Sequence, residues 1–314
     1  MIVIRNVTER AKEGWLATVG FFDGVHAGHR HLIREMRHLA DERGLSTVVF
    51  TFPVHPRVVL QSDYQPKLLT SPDEKLALLA ATGVDYCVIM DFTPVLAACS
   101  ASDFIVNVLS RQWHVQSLLA GYDHRFGHNR SDGFEQYVAY GKSCGMEILR
   151  ASSYEQDSET VSSSHIRRLL SECCVEEAAG LLSYPYRLRG VVVSGHQVGR
   201  ALGFPTANIE MDDPLKVRPG MGVYAVWIYV GDIRYKGMLA IGNRPTLRGD
   251  ARVPNTAKQE TIEVHILHFA ETIYRQRIEV EFMYYLRANK KFENTEALKA
   301  QLIKDRQQVE ELLK

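Results

Sequence analysis

Neither sign of charge dominates this chain: 37 Lys and Arg stand against 37 Asp and Glu, which removes the broad attraction expected of a nucleic-acid or anionic-membrane binder. No apolar run approaches the ~20 residues of a membrane span, and the start, Met1 to Arg10, carries charges where a secretory leader is apolar. A cytoplasmic location is the expectation. Cysteine is scarce: Cys87, Cys99, Cys144, Cys173 and Cys174 are odd in number and show no CxxC spacing, so they read as reduced core residues rather than a disulfide framework or zinc site. A Walker A loop is missing too. Gly141-Lys142-Ser143 resembles its end, but Gln136 stands where the first glycine is required. The protein-kinase glycine loop and HRD segment are also missing, so any kinase in this chain uses another architecture.

What is present is ordinary globular composition, 46% apolar and 24% charged over 314 residues, long enough for two cores. From Ala17 to about Ala151, β-rich runs (17–22, 46–52, 86–91, 115–120 and 146–151) alternate with helical patterns, which predicts a doubly wound α/β sheet. Leu32, Ile33, Met36, Leu39 and Ala40 recur at helical spacing before Gly44. Ser71 and Glu74 around Pro72 form a capping-box signature, with Gly83 expected as the C-terminal cap. Further helices are expected over 101–110, 133–143 and 162–182. Past Tyr184-Pro185 the pattern turns to strands alone, 187–193, 223–230, 235–241, 261–268 and 277–285, which reads as a small antiparallel barrel. A last helix over 294–313 carries Leu298, Leu302, Ile303, Val309 and Leu312 along one side. Two domains follow, 1–184 and 185–314.

Gly20-Phe21-Phe22-Asp23-Gly24-Val25-His26-Ala27-Gly28-His29 falls between a buried-type strand and the first turn of a helix. Free backbone N–H groups and the helix dipole favour an anion there, and Gly28 permits close approach of a phosphate. Two imidazoles three residues apart, His26 and His29, can donate to polyphosphate oxygens and stabilise charge on a departing pyrophosphate. A metal cluster of His26, His29, His31 and His38 is the alternative, but no carboxylate or cysteine sits beside them at ligand spacing. Downstream, Ser162-Ser163-Ser164-His165-Ile166-Arg167 opens a helix with three hydroxyls and an arginine suited to clamping a phosphate; taken alone it reads only as a good helix cap, and pairing with the histidine motif makes it the second half of an ATP site.

The second half holds a glycine-dense stretch from Gly195 through Gly199, Arg200 and Gly203 to Phe204-Pro205-Thr206-Ala207-Asn208. If extended, Thr206 and Asn208 project to one side and offer neutral oxygens to a magnesium ion otherwise held by phosphate and water. From glycine spacing alone, a loop in a β-domain is the favoured reading.

Together these segments resemble the HxGH nucleotidyltransferases, and the Gly20–His29 match is similar to bacterial bifunctional riboflavin kinase/FAD synthetases over about residues 15–310. His55-Pro56-Arg57 resembles the family's HPR loop, Gly121 to Gly127 its flavin-adenylylation loop, and Ser162 to Arg167 its SSTxIR segment. The resemblance implies an HxGH Rossmann-like domain followed by a riboflavin kinase barrel, with ATP and Mg2+ at both sites and riboflavin and FMN as substrates. By the same carry-over, His26, His29 and Arg167 are catalytic in adenylyl transfer. Gly20, Phe21, Asp23, Gly24, Gly28, Ser162, Ser163 and Ser164 bind its ATP, and His55, Pro56, Arg57, Asp123 and Phe126 face FMN. In the kinase half, Glu263 is the implied base, Thr206 and Asn208 hold magnesium-ATP, and Gly195, Gly199, Arg200, Gly203, Phe204, Pro205 and Arg287 complete the site. The chain departs from the family pattern at Pro53-Val54, His124, Ser164, Ala240 and His268. Two rivals remain at this point: another nucleotidyl transfer with the barrel as accessory, and a flavin-sensing or RNA-binding module. A homo-oligomer stays open, and neither nucleic acid nor membrane is an expected partner.

Overall fold

Val, Ile, Leu and Thr dominate the N-terminal strands because branched apolar side chains suit a sheet covered on both faces. The computed structural model describes residues 1–9, 14–55, 67–122, 125–128, 131–156, 159–194, 199, 202–243 and 260–314. The chain forms two compact units, Met1–Ser163 and Ser164–Lys314.

In the first unit, β1 (Ile2–Ile4), β2 (Trp15–Val19), β3 (Ser46–Thr51), β4 (Tyr86–Ile89), β5 (Val115–Ala120) and β6 (Glu147–Arg150) form a parallel sheet in the order β1-β4-β3-β2-β5-β6. Alternation along β2 feeds two cores. Trp15, Ala17 and Val19 pack with Phe104, Ile105 and Leu109 on one face, and Leu16 packs with Ile33, Met36 and Ala40 on the other. The order reverses between β2 and β5, so the crevice beyond their carboxyl ends is a topological switch point. The sequence pattern did not reveal β1, which is short and at the sheet edge.

Helix α1 (Ala27–Arg43) ends at Gly44 in the left-handed conformation, as the spacing predicts. For α2 (Pro72–Ala80), Ser71 and Glu74 form the expected reciprocal cap, but the helix stops at Ala81 and Gly83 lies two residues beyond. After α3 (Pro94–Ala98), α4 (Ala101–Asp103) runs into a wide π-type segment, Phe104–Gln112, and α5 is Phe134–Cys144. A two-stranded ribbon, β7 (Glu155–Gln156) and β8 (Glu159–Thr160), precedes the next helix.

The expected helix over 162–182 is two helices, α6 (Ser163–Ser171) and α7 (Val175–Leu182), broken where Cys173 takes a φ of 67°. Helix α7 packs on the first and last barrel strands. The barrel closes in the order β10-β13-β12-β11-β14-β9, every pair antiparallel. Its strands are β9 (Tyr186–Val193), β10 (Ala207–Met211), β11 (Gly222–Val230), β12 (Ile233–Asn243), β13 (Glu260–Ile266) and β14 (Arg277–Arg287). Strand β10 was hidden in the glycine-dense segment, where breakers masked a five-residue run.

Asn294 caps the last helix, α8 (Thr295–Leu312), which lies on the outer barrel face through Leu302, Val309 and Leu313. Ile303 and Leu312, expected on that seam, are exposed; between them Val309 and the charged Asp305 are buried. All five cysteines are unpaired, but only Cys87 is fully buried, so the expectation of core thiols holds for that residue alone.

Candidate active sites

The turn leaving β2 is held in a costly conformation. Phe22 and Val25 have φ of 55° and 37°, left-handed values that cost non-glycine residues about 1–3 kcal/mol each unless surrounding structure over-determines them. Asp23, almost fully buried, supplies that restraint: its carboxylate accepts from the Leu69 N–H (2.9 Å), the Thr70 N–H (3.1 Å) and the Thr70 hydroxyl, while Thr70 Oγ1 accepts from Gly24 N–H. Asp23 is therefore a brace of the turn. Ser163 Oγ donates to the Asp23 carbonyl at 3.0 Å, bringing the hydroxyl segment to the same turn.

His26 caps α1, its Nδ1 accepting from the His29 N–H at 3.4 Å. An accepting Nδ1 leaves the proton on Nε2, which is then a donor. The His26 and His29 rings stack with centroids 3.6 Å apart. A Cβ at Gly28 would meet protein atoms only at 3.4 Å and beyond, so internal packing does not demand glycine there. His31 instead meets Ser152 (2.7 Å) and His38 meets Glu42, and among the described residues no three His, Cys, Asp or Glu side chains converge on a metal position.

Phe21 faces His55, ring centroids 4.8 Å apart. Phe126 lies inside, 5% exposed, between Phe104 and Tyr137, with its N–H donated to the Tyr137 hydroxyl. Arg167 is on α6, where its guanidinium reaches Ser164 Oγ at 3.5 Å. Pro56, Arg57, Asp123, Gly195 and Arg200 lie outside the described residues.

In the barrel, register assembles the second cluster. Asn208 on β10 is opposite Glu263 on β13, and Thr206, two residues earlier, donates to Glu263 Oε2 at 3.4 Å. Ala240 is the partner of Glu263 on the other side. Gly199 approaches the chain so closely that a Cβ would stand 2.3 Å from the Phe204 carbonyl oxygen, and Gly203 turns with a φ of 81°. Phe204 is buried under α8, and His265 Nδ1 donates to the Pro205 carbonyl at 2.8 Å. A cavity of about 370 Å³ opens beside Thr206 and Ala207, lined by Val192, Val264, Ile266 and Tyr274.

Arg287 stands at the end of β14, held by a forked pair to Asp305 at 2.7–3.1 Å; Asp305, 1% exposed, also accepts from Gln301. Sequence reasoning passed over Asp305, whose only signal was a charge at the i+7 position of an apolar seam. His268 pairs with Glu310.

Residues 8–165 match the FAD synthetase family model and residues 182–313 the riboflavin kinase model. A bifunctional riboflavin kinase/FMN adenylyltransferase of Listeria monocytogenes is 37% identical over 92% of this chain and 89% of its own length. The Escherichia coli K12 protein of the same description is 34% identical over 96% and 94%. A Streptococcus pneumoniae crystal structure described as a macrolide-efflux protein matches with a TM-score of 0.85 at 28% identity, covering 98% of this chain and 97% of that one. Among the described residues of this chain, no helix is long and apolar enough to cross a membrane.

Proposed function

The chain belongs to the family of bifunctional riboflavin kinases/FMN adenylyltransferases, and we propose that its two clusters divide the two reactions between them. The protein phosphorylates riboflavin to FMN with ATP and adenylylates FMN to FAD with a second ATP. The observation that carries the division is a pair of separate clusters, the stacked His26 and His29 with the turn around them within the first compact unit and Thr206, Asn208 and Glu263 within the second. The boundary between the activities falls near residues 184–185, although helices α6 and α7 group with the barrel.

In adenylyl transfer an FMN phosphate oxygen attacks the α-phosphorus of ATP and pyrophosphate leaves, so no covalent enzyme intermediate is needed. His26 Nε2 and His29 donate to the charge that develops on the phosphates, and the unneeded side chain at Gly28 leaves the α1 N-terminus open to them. Ser163 joins the turn through the Asp23 carbonyl, Gly20 and Gly24 shape the turn, and Asp23 acts by bracing it; the family resemblance assigns Ser162, Ser164 and Arg167 to the polyphosphate as well. His55 beside Phe21 marks the FMN side, to which the family resemblance also assigns Pro56, Arg57 and Asp123; Phe126 supports it from the core.

In the kinase half, Glu263 accepts the proton of the ribityl 5'-hydroxyl as that oxygen attacks the γ-phosphorus and ADP leaves. Thr206 and Asn208 flank it, and the cavity beside Thr206 receives ATP. Two neutral oxygens next to a carboxylate are hard donors that fit magnesium, which would neutralise phosphate charge there. Gly199, Gly203 and Pro205 shape the phosphate loop, to which the family resemblance also assigns Gly195 and Arg200, and Arg287 serves the flavin side. Five unpaired thiols agree with a reducing, cytoplasmic setting.

Incubating the protein with ATP, magnesium and riboflavin, then separating flavins by chromatography, should give FMN followed by FAD. Unchanged riboflavin, with externally supplied FMN also unchanged, would refute the assignment.

A further inference from the structure

Lys75, on the first turn of α2, is 5% exposed, a setting in which an ammonium survives only if its donors are used. They are used on one place. Nζ donates to the Phe52 carbonyl at 2.8 Å, the Phe21 carbonyl at 3.2 Å and Thr51 Oγ1 at 3.3 Å, and it sits 4.2 Å from the centre of the Phe21 ring. Phe21 belongs to the strained turn that delivers His26 and His29. Phe52 directly follows β3, three residues before His55. A single cation therefore ties the two strand ends that carry the two sides of the adenylyl-transfer cluster.

We propose that Lys75 is a positioning residue for FAD synthesis, holding the Gly20–His29 turn in register with the segment leading to His55. The inference rests on the assignment of adenylyl transfer to that turn. Its logic is the strain at Phe22 and Val25: the turn keeps those backbone angles only while its neighbours over-determine them. Asp23 braces the turn through the Leu69 and Thr70 backbone, and Lys75 braces the Phe21 carbonyl from the same α2 segment.

The groups facing Lys75 are Asp23 from the turn, Cys87 from β4, and His55 across the Phe21 ring. Burial pushes the Lys75 ammonium down to about 8, against the opposing attraction of Asp23, while burial pushes the Cys87 thiol up to about 11. Above pH 8 the amine keeps two N–H donors for three acceptors, so one contact is lost. Stability moves the other way. Between the folded value near 8 and the ordinary lysine value of 10.5, the unfolded chain binds the proton that the folded chain has released, so this group adds stability as pH rises. Loss of positioning thus lowers activity without lowering stability, which a merely structural lysine would not do.

The test follows FMN-to-FAD conversion from pH 7 to 9.5 in the full chain, with riboflavin phosphorylation as internal control and thermal unfolding at each pH. The expected result is an alkaline fall in FAD formation with a midpoint near 8, not shared by phosphorylation, over a range where the unfolding temperature does not drop. Lys75→Met should lower kcat for FAD formation at pH 7 by about 10- to 100-fold, the scale of a misplaced reacting group, and remove the alkaline fall. Lys75→Arg, whose guanidinium stays charged, should flatten the profile while restoring part of the rate. A wild-type profile without the fall, a fall common to both reactions, or a fall that persists in Lys75→Met overturns the proposal. If Lys75→Met does not fold, the wild-type profile decides alone. Wild-type protein that makes FMN but no FAD at any pH would sink the assignment of the turn itself, a failure distinct from that of Lys75.

Discussion

In the first unit the histidine turn at the centre of the candidate site is one uninterrupted segment, Gly20 to His29, whereas in the barrel Thr206 meets a Glu263 that lies 57 residues farther along. The first is made by a local event, the passage from strand to helix, which exposes N–H groups and stacks two imidazoles across a single helical turn. The second is made by register: slipping β10 by one residue against β13 would send Asn208 to the other face and dissolve the cluster. Strain is concentrated in the first, with two non-glycine residues in left-handed backbone. The barrel site draws instead on a close glycine approach and a carboxylate beside two neutral oxygens. On the proposed assignment, one protein handles phosphate with a helix terminus in one half and with a sheet surface in the other.

The sharpest way to break this comparison is to disable each cluster separately. Glu263→Gln keeps the size and the acceptor for Thr206 but removes the base, and riboflavin phosphorylation should fall by about 10²- to 10⁴-fold. FMN-to-FAD conversion, measured on the same preparation with FMN supplied, should stay within twofold of wild type. His29→Ala should do the reverse, lowering FAD formation by about 10²- to 10³-fold, the scale of one lost transition-state donor, with phosphorylation intact. Parallel loss of both activities in either folded variant would mean that the halves do not work independently.

The local site was also the more legible one. A buried strand, a glycine turn, a histidine pair and a helix start lie within one window of sequence, so their chemistry could be read without knowing the fold. The pairing of Asn208 with Glu263 could not: β10 is short, follows several glycines, and reveals itself only when β9 and β13 flank it. Resemblance to a family, not periodicity, had pointed to Glu263. Lys75 and Asp305 escaped notice because a charged residue in an amphipathic helix reads as solvent-facing, and only the tertiary partners, two strand ends for one and Arg287 for the other, account for their burial. Phe126 shows the converse, an aromatic in a motif that serves the core.

Asp305 tests how far the barrel site depends on α8. Asp305→Ala leaves Arg287 without its carboxylate and should destabilise the second unit by about 3 kcal/mol, the lower end for a broken buried pair because the Arg287 side chain keeps 19% exposure. Chemical denaturation followed in the second unit would measure it. Asp305→Asn, which retains acceptors for Arg287, should cost less. An unchanged midpoint in Asp305→Ala would show that α8 is held by its apolar seam alone.

The smallest effect belongs to His265, and its sign is informative. Burial, aided by the Arg306 and His268 charges and opposed by the Pro205 carbonyl, holds this imidazole below its ordinary 6.5. The unfolded chain therefore takes up a proton near pH 6.5 before the folded chain does, and stability contributed by this group is lost as pH falls below that point. Protonation does not break the bond to Pro205, because Nδ1 is the donor in both forms. What it adds is a half-buried charge facing Arg306, next to the Phe204–Thr206 approach to Glu263. Wild type should thus lose about 1–3 °C more in unfolding temperature between pH 7 and 5 than His265→Gln does. An acid-induced drop of equal size in the two proteins would remove His265 from the account and leave the barrel site, unlike the strained turn, without a titrating brace.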